Sequence, residues 1–124
     1  IEIGLSPIMK TTASIFYWYG FYKPEYQKSG VGMRAMLEAT SWAKHEQLDY
    51  AYLGTAYTSS SLYKTNIPGF EFFNGFEWSA DLDELKYLIS KDQSDKKDDL
   101  LLDQEYREQF YQSPNLNKFL NRYA

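Results

Sequence analysis

Between a run of aromatic residues and a run with helical spacing, the chain reads YQKSGVGMRAML over residues 26–37, with Gly30 and Gly32 one residue apart. A glycine pair at that junction leaves backbone N–H groups unobstructed, and the dipole of the following helix adds partial positive charge to them. Such a loop, here Gln27, Lys28, Ser29, Gly30, Val31 and Gly32, can cradle a pyrophosphate or another phosphate without a dedicated lysine. The plainer reading is a tight strand-to-helix turn. Other chemistries are narrowed by composition. The chain has no cysteine and a single histidine, His45, so it offers neither a disulfide framework, nor a thiolate metal site, nor a histidine cluster. No metal is expected. His45 falls at the expected C-terminal end of the helix, where the dipole stabilises a cation.

The elements that must hold this loop follow from periodicity. ASIFYWYGFY, residues 13–22, is apolar on both alternating faces and predicts a central strand covered on both sides. Gly20 interrupts it, which suggests a bulge or a close approach, and Pro24 ends further ladder pairing. Met33, Met36, Leu37, Thr40 and Ala43 mark an amphipathic helix from about 31 to 46. LDYAYLGTAY, residues 48–57, predicts a second strand, so the order has the length of a βαβ crossover with parallel strands. FEFFNGFEW, residues 70–78, contains an Asn-Gly pair and reads as a hairpin, or as a helix end followed by a strand. SKDQSDKKDD, residues 90–99, lacks core-forming residues and reads as a solvated linker. Helical spacing returns over 100–112 through Leu102, Tyr106 and Phe110, before Pro114 stops it. The expected class is therefore α/β (α+β), a mixed sheet flanked by helices with a helical tail over 100–124.

Bulk properties bound the function. A chain of 124 residues suits one domain-sized core, and its net charge of −4 gives no overall basic face for nucleic acid, leaving room for a local patch. The opening IEIGLSPIMK has no basic n-region or long apolar run, so neither a signal peptide nor a membrane span is expected, and a cytoplasmic setting fits. An initial Ile in place of Met suggests a fragment or a processed chain. Trp18, Trp42 and Trp78 read as core or rim aromatics, and the acidic residues over 92–108 as a solvated helix face.

QKSGVG resembles the acyl-CoA loop Gln/Arg-x-x-Gly-x-Gly/Ala of GNAT acyltransferases, and FFNGFEW resembles their late aromatic segment. Within that superfamily, GFYKPEY, LDYAYLGTAY and LYKTNIPGFEF are similar, in the right order, to segments of the C-terminal domain of arginyl- and leucyl-tRNA–protein transferases. The likeness runs over about residues 13–89, taken with residues 1–12 as one GNAT-like domain. Departures are visible as well. Those transferases usually have Ser-Leu-Gly in the loop, so Gly30 is closer to the acyl-CoA pattern, and Leu62 stands where they have Met before Tyr-Lys.

The resemblance implies an N-acyltransferase fed by acyl-CoA such as acetyl-CoA, or alternatively a transferase that moves an amino acid from aminoacyl-tRNA to a protein N-terminus. A non-catalytic module of the same fold is the third reading, with the C-terminal helix docking a partner or a second subunit. It implies that Tyr63 resembles the tyrosine that protonates the departing thiolate, and that Lys64 could meet a phosphate or the acceptor's carboxylate. Glu25 and Glu71 could serve as general base toward the attacking amine if burial raised either pKa. Tyr19, Tyr57 and Lys64 are the expected substrate contacts. A backbone N–H near the Gly20 kink would polarise the scissile carbonyl.

Overall fold

Alternation between inward and outward residues sets the first sheet. A computed structural model describes residues 3–94, 99–113 and 115–123. Strands β1 (Gly4–Leu5), β2 (Ile8–Lys10), β3 (Ser14–Tyr17) and β4 (Phe21–Tyr22) lead into a 3-10 turn at Pro24–Tyr26, helix α1 (Val31–His45) and strand β5 (Tyr50–Tyr52). β3 is the middle of a mixed three-stranded sheet, antiparallel to β2 and parallel to β5, with Ile15 beside Ala51 and Phe16 beside Tyr52. The expected strand–helix–strand crossover is present. α1 packs on β3 and β5, and its buried residues Met36, Ala39 and Ala43 recur at helical spacing. The helix closes in a Schellman turn: Leu48 N–H donates to the Ala43 carbonyl at 2.9 Å, Gln47 N–H to that of Lys44 at 3.0 Å, and Gln47 takes φ +57°. His45 is the last helical residue, as expected.

The aromatic run over 13–22 is not one strand. β3 stops at Tyr17, and β4 pairs with β1 in a separate two-stranded sheet. The cause lies at Gly20, where a Cβ would stand 2.7 Å from the Tyr17 hydroxyl, which itself accepts from Ser6 Oγ at 3.1 Å. A side chain at this position would have to displace that phenol. Nor is the run covered on both faces: Ile15 and Tyr17 are buried, whereas Phe16, Trp18, Tyr19, Phe21 and Tyr22 are exposed. β5 is likewise shorter than the expected 48–57, with Tyr50 and Tyr52 stacked on its outer face.

The chain divides into two compact units, Ile1–Ala56 and Tyr57–Ala124. The second begins with a 3-10 helix at Ser59–Asn66 and a hairpin of β6 (Phe72–Phe73) and β7 (Trp78–Ser79). Asn74 makes the hairpin turn by accepting from the N–H groups of Phe76 and Glu77, with Gly75 at φ +110°. The hairpin reading of FFNGFEW therefore holds. Helix α2 (Leu82–Asp92) starts on an Asp81 cap that accepts from Asp83 and Glu84 N–H. It reaches three residues into the stretch read as linker, of which residues 95–98 lie outside the described part, as does Pro114.

A 3-10 turn at Leu100–Leu102 precedes α3 (Gln104–Tyr111) and α4 (Leu116–Tyr123). Leu102 is exposed rather than part of a helical face, because Asp103 breaks the expected 100–112 helix and caps α3. Tyr106, Tyr111 and Phe119 form a buried cluster surrounded by Phe76, Tyr87, Leu88, Leu100, Leu101 and Phe110. The tail thus packs within its own unit. Trp18, Trp42 and Trp78 are all rim aromatics, each exposed.

Candidate functional site

The loop 27–32 is built by two local devices. Pro24 opens the 3-10 turn, in which Gln27 N–H donates to the Pro24 carbonyl at 3.1 Å. Ser29 then closes the next turn, sending both its N–H (3.0 Å) and its hydroxyl (2.6 Å) to the Tyr26 carbonyl. Gly30 is the N-cap of α1 at φ +75°, a left-handed conformation that favours glycine. A glycine cap has no side chain with which to cover the first-turn amides, and that turn holds no acidic residue. The N–H groups of Val31, Gly32 and Met33 therefore end the helix without a side-chain acceptor from the cap, where the dipole is most positive. Gly32 differs from Gly30. A Cβ there would lie 3.6 Å from the Tyr22 hydroxyl, an ordinary contact, so the fold itself does not require glycine at that position.

Gln27, Lys28, Ser29 and Gly30 are exposed, while Val31 and Gly32 are half-buried. Lys28, two residues before the Gly30 cap, and Arg34, in the first turns of α1, are both exposed. Glu25, in the 3-10 turn that leads into this loop, is exposed, and Tyr19 is exposed upstream of it.

In the second unit, Tyr63 and Lys64 are neighbours on the 3-10 helix Ser59–Asn66. Tyr63 is 44 % exposed. Lys64 is half-buried, and that burial lowers its pKa, so its ammonium is held less firmly than that of a free lysine. The Tyr57 hydroxyl donates to the Phe73 carbonyl, tying the start of this unit to its hairpin. Glu71 is exposed. Neither Glu25 nor Glu71 has the sheltered setting on which a role as base was premised.

The sheltered carboxylate is Glu84, which the sequence reading did not single out. It is 2 % exposed. Its Oε1 accepts from the Tyr106 hydroxyl, from the Tyr111 hydroxyl at 2.7 Å and from Asn74 Nδ2 at 3.0 Å, and its Oε2 accepts from Ser79 Oγ at 2.6 Å. Burial, and then the Glu84 carboxylate, push both phenols well above the ordinary tyrosine pKa. The one available signal was Glu84 at the third position of a helix opened by an Asp cap. Asp103, read as part of a solvated acidic face, is also enclosed. It caps α3, accepts from the Tyr87 hydroxyl at 2.9 Å and pairs with Lys91 at 2.5 Å. Burial raises its pKa, but Lys91, the Tyr106 N–H and Tyr87 outweigh that and hold the carboxyl below its usual range.

Among the described residues, no group of three or more His, Cys, Asp or Glu is arranged to hold a metal ion, and no helix is long and apolar enough to cross a membrane. The family model for the C terminus of arginine-tRNA-protein transferase matches residues 1–72. The chain belongs to that family, a family of transferases. The match includes the glycine loop, Tyr63, Lys64 and Glu71, and it ends before Asn74 and the Glu84 cluster. No match was found among curated proteins or among solved structures.

Proposed function

We propose that this chain acts in an aminoacyl-tRNA–protein transferase, receiving a phosphate of the charged tRNA at the N-terminus of α1. The observation that carries the reading is the coincidence of that uncapped helix start, free of acidic residues in its first turn, with the stretch matched by the transferase family. In the reaction, the α-amine of a protein N-terminus attacks the aminoacyl ester carbonyl. A C–N bond forms, the C–O bond to the terminal ribose breaks, the amine gives up a proton and the ribose oxygen takes one. Tyr63 is the candidate donor of the second proton and Lys64 a candidate partner for a phosphate or the acceptor's carboxylate; Glu25 and Glu71, both exposed, would accept the first proton only if the bound substrate sheltered one of them. A cytoplasmic setting is where this donor would be met.

The same amides could take the pyrophosphate of CoA, so the decisive experiment compares donors. Full-length chain is incubated with an acceptor peptide bearing a free N-terminus and either radiolabelled arginyl-tRNA or radiolabelled acetyl-CoA. Label on the peptide from the tRNA alone is the expected result. Label from acetyl-CoA alone replaces this reading with the acyl-CoA one, and no label from either moves the chain to the non-catalytic reading.

A further inference from the structure

We propose that the face of the three-stranded sheet turned away from α1 is the contact surface for a second copy of this chain. A sheet built around a parallel pair of strands is ordinarily covered on both faces, and here α1 packs on β3 and β5 from one side. That side is the one of Ile15: Lys10, directly opposite Ile15, pairs with Glu46 at the end of α1 at 2.5 Å and lies over the Trp42 ring of the helix. On the other side, Met9, Phe16 and Tyr52 stand opposite one another across β2, β3 and β5. Directly opposed residues share a face, as do residues two apart in one strand, so Tyr50, stacked on Tyr52 at 6.0 Å, completes the group. Met9, Phe16, Tyr50 and Tyr52 are 61 %, 39 %, 59 % and 37 % exposed.

Three observations favour a second copy as the occupant. The first is charge. Lys10 is the one charged residue of β2, β3 and β5, and it lies on the α1 side. A face without charge has nothing to steer an oppositely charged partner, yet it lets a chain of net charge −4 meet its own copy with no carboxylates opposed. The second is complementarity between the two edges of the face. A two-fold axis running along β3, midway between two facing sheets about 10 Å apart, lays β2 of each copy over β5 of the other. Each Met9 then meets Tyr50 and Tyr52 of the other copy, a favourable sulfur–aromatic contact, with Phe16 beside the axis. The third is area. At roughly 200 Å² for a whole side chain of this size, the exposed fractions leave on the order of 400 Å² open on each copy. Such a patch is at the upper end of what a monomer exposes, and the pair buries enough for a weak, concentration-dependent dimer rather than an obligate one.

The test is sedimentation velocity on the full-length chain from micromolar to millimolar concentration, where a reversible monomer–dimer equilibrium is expected. Tyr50→Asp should weaken it roughly a hundredfold by burying an unpaired carboxylate on each copy, whereas Lys44→Glu, exposed on α1, should leave it unchanged. Met9→Glu and Tyr52→Lys should each dissociate the pair. An equal mixture of those two variants should associate again, because the two-fold brings position 9 of one copy onto position 52 of the other, and that recovery also shows that both variants fold. A chain that stays monomeric throughout overturns the proposal and assigns the face to a different polypeptide. A dimer indifferent to Tyr50→Asp and Met9→Glu overturns it by placing the contact elsewhere, and dissociation of both variants without recovery in the mixture overturns the two-fold arrangement.

Discussion

The Tyr111 hydroxyl donates to Glu84 Oε1 across 27 residues of chain, at 2.7 Å and out of reach of water. Among the described residues no cation pairs with this buried carboxylate, which is costly unless its lone pairs are filled, and here two phenols, an amide and a hydroxyl fill them. The bonds come from the hairpin turn, from β7 and from both ends of α3, so one side chain of α2 fixes the positions of three other segments. Tyr111→Phe should cost about 1–3 kcal/mol, since it leaves Glu84 short of a donor and Asn74 short of an acceptor. Glu84→Gln should cost at least as much by turning a donor toward donors. In a double-mutant cycle read by urea unfolding, the two losses should fall short of additivity by more than about 0.5 kcal/mol. Additive losses would show that the contact does not couple the segments.

The same enclosure sets a pH dependence. Tyr87 is pushed up to about 12 by burial and by the Asp103 carboxylate, and Tyr106 and Tyr111 are raised further. A raised folded-state pKa gives stability that is complete below the unfolded value, about 10 for tyrosine, and is lost as pH rises toward the folded value. Asp103 has the opposite sign: its lowered pKa gives stability present above the unfolded value, about 3.9, and lost on acidification below it. Melting temperature should therefore be flat between these limits, fall from pH 10 to 12, and fall again in acid. Phenolate absorbance in the folded protein should show fewer than the twelve tyrosines titrating near pH 10. A full set titrating there would remove the basis for the alkaline limb.

Gly20 was legible as a site of close approach, but what approaches it was not. Its neighbour is the hydroxyl of Tyr17, three residues back, and nothing in a row of aromatics says which phenol folds inward. Gly20→Ala should destabilise by about 1–3 kcal/mol, as overpacking does, and Tyr17→Phe should recover part of that loss by removing the atom in the way. Calorimetric melting of the two single variants and the double variant decides it. An unchanged melting temperature in Gly20→Ala would mean that the turn relaxes freely.

The crossover β3–α1–β5, the hairpin and the helix end at His45 were readable because each rests on a local period or a turn residue. Strand lengths were not, since an unbroken aromatic run has the same composition whether or not its backbone pairs. The Glu84 cluster was hidden for another reason: its donors come from positions 74, 79, 106 and 111, far apart in sequence, and no local period or turn signal links them. For the glycine loop, type and order were visible, whereas the distinct reasons for the two glycines required their dihedrals and surroundings.

Those reasons separate fold from ligand. Gly30→Ala forces a side chain into the left-handed region and should cost about 1–2 kcal/mol. Gly32→Ala lies within α1 with room for its methyl, and should leave stability unchanged or raise it by up to about 1 kcal/mol. If a phosphate closes on that amide, Gly32→Ala should nevertheless weaken tRNA binding, and Gly32→Asp should abolish it by adding negative charge. Calorimetric titration on well-folded variants provides the readout. Unaltered affinity in Gly32→Asp would remove the loop from the donor site.

Tyr63 carries the chemical prediction. Its side chain is exposed on the 3-10 helix, so Tyr63→Phe should change melting temperature little. If its hydroxyl protonates the departing ribose oxygen, turnover should fall by about a hundred- to ten-thousand-fold while KM for the charged tRNA stays near that of the unaltered protein. A lost hydrogen bond in a packing role predicts the reverse, a stability loss of roughly 1 kcal/mol with turnover intact. Lys64→Ala on the same helix serves as the contrast, because a residue that holds phosphate or carboxylate should raise KM more than it lowers kcat. Steady-state transfer rates and melting curves from one preparation of each variant separate proton donation from binding. Normal turnover in Tyr63→Phe would assign that step to another group or to water.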